Sequence, residues 1–247
     1  AGTYQDELGQ STCKVCPAGN YCLYNSTHPT ICPAGSYCPA GTTYANEFLC
    51  PNGTYNAVTG LQEVKNCTSC TPGKYCGSRG LTAPTGPCEA GYFCGGGSSV
   101  ATPFDSGKSS YHVSYVGDTC TAASNKTLND ICPPGHYCPT GSPSTVQCPP
   151  GTNSSSNGLK VVSDCPKCTK GFYCPLNGTI YATKKCLAGY FCPSGTSVLT
   201  DALICPRGAH CPTGSPQPVL CDAGTYQDEL GQSTCKVCPA GNYCLYN

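Results

Sequence analysis

The amino-acid sequence predicts small disulfide-rich modular repeats, built from short β-hairpins and loops with little or no helix. Three observations predict this. Cysteine makes up 26 of 247 residues, above the ~8–10% at which a disulfide scaffold is the default reading. Leu, Ile, Val and Phe together number only 35, below the ~20% of residues that an ordinary core needs. One short cysteine phrase also recurs along the chain.

Composition bounds the rest. Modules that cannot offset their ordering entropy by burial are stapled instead, at ~2–4 kcal/mol per bridge. Disorder goes with low hydrophobicity and high net charge, and here Lys+Arg and Asp+Glu are 13 each. Thiols at this density fit an oxidising compartment, so the chain is expected to be secreted, extracellular or at the cell surface. No Lys/Arg run is present, which argues against nucleic acid as a partner. No apolar stretch approaches the ~18 residues that span a bilayer. With no signal pattern at Ala1, we expect a processed chain or a stretch of a longer one.

The recurring phrase is Cys-x-x-Gly-x-(aromatic or His)-Cys. It occupies Cys16–Cys22, Cys32–Cys38, Cys70–Cys76, Cys88–Cys94, Cys132–Cys138, Cys168–Cys174, Cys186–Cys192, Cys205–Cys211 and Cys238–Cys244. Pro or another small residue before Gly marks a tight turn, with Gly free to take φ > 0. The aromatic offers flat apolar area to a neighbouring disulfide or module. A second turn often follows, as in PAGT, PTGS, PLNG and PSGT. A longer phrase alternates with the short one at Cys50–Cys70, Cys148–Cys168 and Cys221–Cys238. Its two turns predict a small hairpin closed by Cys50–Cys67, Cys148–Cys165 and Cys221–Cys235. The chain then divides into cysteine-rich modules over 1–49, 50–94, 132–167, 168–204 and 205–247. Residues 95–131 form a Gly/Ser-rich insertion in which YHVSYV alternates like a strand.

The 25 residues AGTYQDELGQSTCKVCPAGNYCLYN stand at Ala1–Asn25 and again at Ala223–Asn247, offset by 222. Both ends cut through a continuing pattern. Cys13 lacks the upstream cysteine that Cys235 has in Cys221, and Asn25 opens a sequon that Asn247 leaves unfinished. We therefore expect a window on a tandem array with a 222-residue period. Arrays of this kind contact mainly their neighbours and are quasi-one-dimensional.

The grammar C-x-x-G-T-Y…C-x-x-C-P-x-G-x-Y-C resembles the ephrin-receptor-like cysteine-rich repeat, and more loosely the tumour-necrosis-factor-receptor modules. The resemblance covers nearly the whole chain except residues 95–131. Such repeats occur in receptor ectodomains. They also fill long surface and filament proteins of algae and other protists, including flagellar mastigoneme proteins. The resemblance implies modules stacked end to end into an extended rod or fibril.

One period, residues 1–222, holds 23 cysteines, an odd number. The clusters fall into fours that suit an interlocked scheme: Cys16–Cys32 with Cys22–Cys38, Cys70–Cys88 with Cys76–Cys94, and Cys168–Cys186 with Cys174–Cys192. Pairing within each phrase is the rival, and spacing does not decide between them. Cys132–Cys138 and Cys205–Cys211 then pair locally. Cys13 and Cys120 are left unpaired or bridging to another unit, or paired with each other if the chain is complete.

Other chemistry is sparse. N-glycan acceptors stand at Asn25, Asn52, Asn66, Asn125, Asn153 and Asn177, of which Asn66 is weakest because Cys67 is its middle residue. The C-x-x-C pairs Cys13/Cys16, Cys67/Cys70, Cys165/Cys168 and Cys235/Cys238 have zinc-knuckle spacing. Each lies inside the longer disulfide grammar, so no metal is expected. Asp105, Asp118 and Asp130 belong to no EF-hand loop. His28, His112, His136 and His210 suggest no catalytic triad, and no enzyme activity or cofactor is expected beyond covalent glycans. The expected task is a structural extracellular glycoprotein that self-associates or continues into a filament. The alternative is a cysteine-rich spacer or ligand-binding segment of a receptor or adhesin.

Overall fold

The computed structural model describes residues 1–103, 113–116, 119–122 and 129–244, the strands Val113–Val116 and Thr119–Ala122 by their backbone only. The Cys120 side chain, Asn125, Asp105, Asp118 and His112 lie outside the described residues. The chain forms two compact units, Ala1–Ile131 with Cys138–Thr145, and Cys132–Tyr137 with Val146–Asn247.

Among the described residues there is no α-helix, and every sheet has two strands, all antiparallel. Most strands are two residues long, such as Thr54–Tyr55 against Thr68–Ser69. Single 3-10 turns occur at Val64–Asn66, Val162–Asp164 and Asp201–Leu203. The reason is local. With 30 Gly and 23 Pro, a turn interrupts the chain before a helix or long strand can propagate. In the segment 95–131, Val113–Val116 pairs with Thr119–Ala122, and Asn129–Ile131 pairs with Tyr92–Cys94.

A backbone ladder repeats within each unit. In the first unit, the N–H groups of Gly2, Gly19, Gly35, Gly53 and Gly73 donate to the carbonyls of Cys22, Cys38, Asn56, Cys76 and Cys94 at 2.7–2.9 Å. Their own carbonyls accept from the N–H groups of Cys16, Cys32, Cys50, Cys70 and Cys88. In the second unit, Gly135, Gly151, Gly171, Gly189 and Gly208 donate to Ser154, Cys174, Cys192, Cys211 and Gln227 in the same way. The short and long phrases are therefore one coil. In the long phrase the sixth residue after the first cysteine is Asn56, Ser154 or Gln227 instead of cysteine, and all three are buried. Their side chains supply the missing bonds. Asn56 Nδ2 donates to the Val58 carbonyl at 2.7 Å, and Gln227 Nε2 donates to the Thr234 carbonyl at 2.8 Å.

Glycine is required at the ladder turn for two reasons. Gly151 has φ 81°, the left-handed region that penalises a Cβ. A Cβ there would also stand 2.6 Å from the Gly195 carbonyl oxygen.

The buried apolar side chains of both units are cysteines, with Pro103 and Ala209 the exceptions among the described residues. Sulfur thus does the work of an aliphatic core. Every cysteine whose side chain is described is disulfide-bonded, except Cys13. Eight short phrases close on themselves: Cys16–Cys22, Cys32–Cys38, Cys70–Cys76, Cys88–Cys94, Cys168–Cys174, Cys186–Cys192, Cys205–Cys211 and Cys238–Cys244. The interlocked scheme, with Cys16 bridged to Cys32 and its counterparts, is not adopted. The Pro-x-Gly turn folds the chain back within six residues and sets Cys16 and Cys22 at a Cα–Cα distance of 5.8 Å, inside the range a disulfide spans. Cys132 and Cys138 are also disulfide-bonded. Cys50–Cys67, Cys148–Cys165 and Cys221–Cys235 close the long phrases.

Candidate functional site

The candidate site is the 25-residue segment that occurs twice, because residues 1–22 and 223–244 fold alike and stand in unlike surroundings. In the first, Thr3–Tyr4 pairs with Lys14–Val15; in the second, Thr225–Tyr226 pairs with Lys236–Val237 in the same register. Gln5 Nε2 reaches the Thr12 carbonyl as Gln227 Nε2 reaches that of Thr234. Cys16–Cys22 is matched by Cys238–Cys244.

The electrostatics repeat as well. Lys14 Nζ lies 2.7 Å from Asp6 and 3.1 Å from Glu7. Lys236 Nζ lies 2.7 Å from Asp228 and 3.3 Å from Glu229. The hydrogen bond from Lys14 holds the Asp6 carboxyl below its ordinary 3.8, and that from Lys236 does the same for Asp228. Asp6, followed by Glu7, raises the Lys14 ammonium well above its ordinary value. These charges are exposed, so they fix the hairpin tip rather than supply much stability.

Each copy has two bonding faces. On one face of the second copy, the Gln227 carbonyl accepts from Gly208 N–H at 2.8 Å and the Gln232 carbonyl from Cys211 N–H at 2.9 Å. Gly231 N–H donates to the Cys205 carbonyl at 2.8 Å, and Cys235 is bridged to Cys221. This face seats the second copy on residues 205–221. The corresponding groups of the first copy are the Gln5 and Gln10 carbonyls, Gly9 N–H and Cys13, and none has such a partner among the described residues. Leu8 is 100% exposed where its counterpart Leu230 is 57%.

The opposite face behaves in reverse. In the first copy, Cys16 C=O accepts from Gly41 N–H at 2.8 Å, Gly19 N–H donates to Cys38 C=O at 2.8 Å, and Cys22 N–H donates to Thr42 C=O at 3.0 Å. Residues 26–42 thus cover that face, and Cys16 and Cys22 are fully buried. In the second copy the corresponding Cys238 carbonyl, Gly241 N–H and Cys244 N–H have no such partners among the described residues. Val237 is 80% exposed against 63% for Val15, and Tyr243 is 85% exposed where Tyr21 is half-buried.

Thr42 belongs to a feature that the turn reading left unassigned. In the second turns the hydroxyl folds back onto the proline carbonyl three residues earlier: Thr42 on Pro39 at 2.6 Å, Ser142 on Pro139 at 2.6 Å, Thr196 on Pro193 at 2.7 Å and Ser215 on Pro212 at 2.7 Å. These four are buried, and their carbonyls receive the ladder bonds from Cys22, Cys94, Cys174 and Cys192. The recurring Pro-x-Gly-Ser/Thr was the signal in the sequence.

The remaining sequence-predicted positions are scattered. Asn25, Asn52, Asn66 and Asn177 are exposed, whereas Asn153 is half-buried with its Oδ1 enclosed and unpartnered. His28 Nδ1 meets Thr27 Oγ1, and His136 Nδ1 meets the Pro134 carbonyl. Asp130 is buried and accepts from the Ile131 N–H. Among the described residues, His210, Cys221 and Cys235 gather potential metal-ligand atoms within 4.8 Å. The two sulfurs are bridged to each other, however, and a metal needs the thiolate. The C-x-x-C pairs split likewise, Cys67 going to Cys50 and Cys70 to Cys76. No helix among the described residues is long and apolar enough to cross a membrane.

A comparison of the sequence with curated proteins finds no match. Residues 208–245 match the family model described as tyrosine-protein kinase ephrin type A/B receptor-like. That stretch takes in residues 223–245 of the second copy and Cys221 of its seat, and supports an ephrin-receptor-like cysteine-rich repeat there.

Proposed function

We propose that this chain is a length of an extracellular structural fibre, a glycoprotein built by tandem repetition of a 222-residue unit. The observation that carries the proposal is the two-faced segment. One sequence bonds residues 26–42 on one side and residues 205–221 on the other, with different side used in each copy. A single segment using both faces joins one unit to the next with bonds of the kinds found here. A head-to-tail contact of this kind builds a filament when its rotation does not close into a ring. Disulfides hold each coil without a greasy interior, and the exposed Asn25, Asn52, Asn66 and Asn177 offer sites for glycans that keep a weakly charged surface soluble. The reading assigns the chain no catalytic task and no membrane span.

Electron microscopy of the native material tests it. The expected result is a filament with one axial repeat per 222-residue unit. Isolated particles would instead favour the receptor-spacer reading, which the ephrin-receptor-like match over residues 208–245 supports.

A further inference from the structure

The Cys221–Cys235 disulfide has an imidazole set against it. His210 Nδ1 lies 3.2 Å from Cys235 Sγ. The ladder fixes that position. His210 faces Val219 across its strand pair as Tyr137 faces Val146 in the module closed by Cys148–Cys165. Tyr37 precedes the closing cysteine of the phrase before Cys50 in the same way. Every other short phrase has Tyr or Phe at this place. At one long-phrase bridge, then, the usual aromatic ring is replaced by a ring with a hydrogen-bonding edge.

We infer that Cys221–Cys235 is a covalent attachment site for a small thiol, opened with the help of His210. The thiolate of the incoming molecule attacks Cys221 Sγ. The Cys221–Cys235 bond breaks, a mixed disulfide forms at Cys221, and Cys235 leaves as a thiolate. Cys235 takes up the proton that the incoming thiol gave up, so the step needs no oxidant or reductant. Exchange is faster when the departing sulfur is the better leaving group, and an imidazole beside a sulfur favours its thiolate. Because His210 stands at Cys235, the direction of opening is set: Cys235 departs and Cys221 keeps the adduct.

Access favours the same class of bridge. Cys67, Cys165 and Cys221 keep 6–9% exposure, where Cys32, Cys38, Cys205 and Cys211 keep none. A thiol therefore meets the long-phrase bridges before those of the inner short phrases, and among the long-phrase bridges His210 selects one. Opening it leaves its module folded. The Cys205–Cys211 bridge, the pairing of Thr225–Tyr226 with Lys236–Val237 and the Gln227 Nε2 bond to the Thr234 carbonyl all stand without it. The adduct is thus a modification of a folded module, distinct from its unfolding. The inference rests on this geometry alone; on the fibre reading the site recurs once per 222-residue unit.

The test uses the oxidised chain with any free thiol first blocked by N-ethylmaleimide. It is treated briefly with reduced glutathione without denaturant, quenched with iodoacetamide and mapped by mass spectrometry without reductant. Glutathione should be found on Cys221 and the carbamidomethyl group on Cys235, about threefold to tenfold ahead of label at Cys50–Cys67 or Cys148–Cys165. His210→Tyr, which restores the residue type of Tyr37 and Tyr137, should bring this bridge down to the rate of the other two at an unchanged melting temperature. Tyr137→His should raise the rate at Cys148–Cys165. Equal labelling of the three bridges, glutathione on Cys235 with Cys221 alkylated, or an unchanged preference in His210→Tyr overturns the inference. So does exchange that requires denaturant. The micrographs test the fibre reading separately, and neither result decides the other.

Discussion

Replacing Gly151 by Ala should disrupt the ladder by an amount that can be worked from the structure. Gly151 N–H donates to Cys174 C=O, and its carbonyl accepts from Cys168 N–H, both at 2.8 Å. Its φ of 81° costs an L-residue about 1–2 kcal/mol. The added Cβ would also lie 2.6 Å from the Gly195 carbonyl oxygen, so the two coils must separate and weaken two bonds of about 1 kcal/mol each. Gly224→Ala is the matched control. It occupies the same ladder position with φ 83°, but nothing lies within 4 Å of its Cβ. The control should lose only the conformational cost, and the two variants should differ by about 2 kcal/mol. That difference corresponds to roughly 4–8 °C in Tm for a chain of this size. By hydrogen exchange, opening of the Cys168 amide in Gly151→Ala should speed up roughly 30-fold more than opening of the Cys238 amide, which donates to the Gly224 carbonyl, does in Gly224→Ala. Equal losses in the two variants would refute the claim that glycine is needed for close approach of successive coils.

Other perturbations probe the staples, the hydroxyls, the charges and the sugars. Cys50→Ser with Cys67→Ser opens a loop of sequence separation 17 and should cost about 3 kcal/mol, against about 2 for the tighter Cys16–Cys22 loop; urea midpoints compare the two. Thr42→Val keeps the shape but removes the 2.6 Å bond to the Pro39 carbonyl, and should lower stability by about 1 kcal/mol in the same assay. The Asp6 and Asp228 carboxyls, held below 3.8 by Lys14 and Lys236, should titrate below that value by NMR and return towards it in Lys14→Ala and Lys236→Ala. Because these are depressed acids, the stabilisation they give is complete above 3.8 and is lost as pH falls through their folded values. Glycan mapping by mass spectrometry should find sugar at Asn25, Asn52 and Asn177, and none at Asn153, whose Oδ1 is enclosed.

Much of the fold was legible because cysteine spacing and turn chemistry are local. Cys50–Cys67 and Cys148–Cys165 flank a two-turn stretch whose ends must meet. The lack of helix follows from Gly and Pro falling at every turn. What spacing left undecided was the partner of each short-phrase cysteine, since Cys16 had both Cys22 and Cys32 within reach along the chain. The equivalence of the two phrases was also hidden, because Asn56, Ser154 and Gln227 share no obvious pattern with cysteine until all three are found buried at the same rung.

The sequence by itself determined the cross-linked, core-poor character of this protein and the echo between Ala1–Asn25 and Ala223–Asn247. Both are properties of composition and order, and need no knowledge of what lies beside what. Only the tertiary structure decided that sulfur pairs within each short phrase and that glycines bond cysteines about twenty residues away. It alone also revealed that identical segments present opposite faces to their neighbours. Hydrogen bonds and burial depend on the residues folded against a segment, and two copies of one sequence carry no mark of that difference.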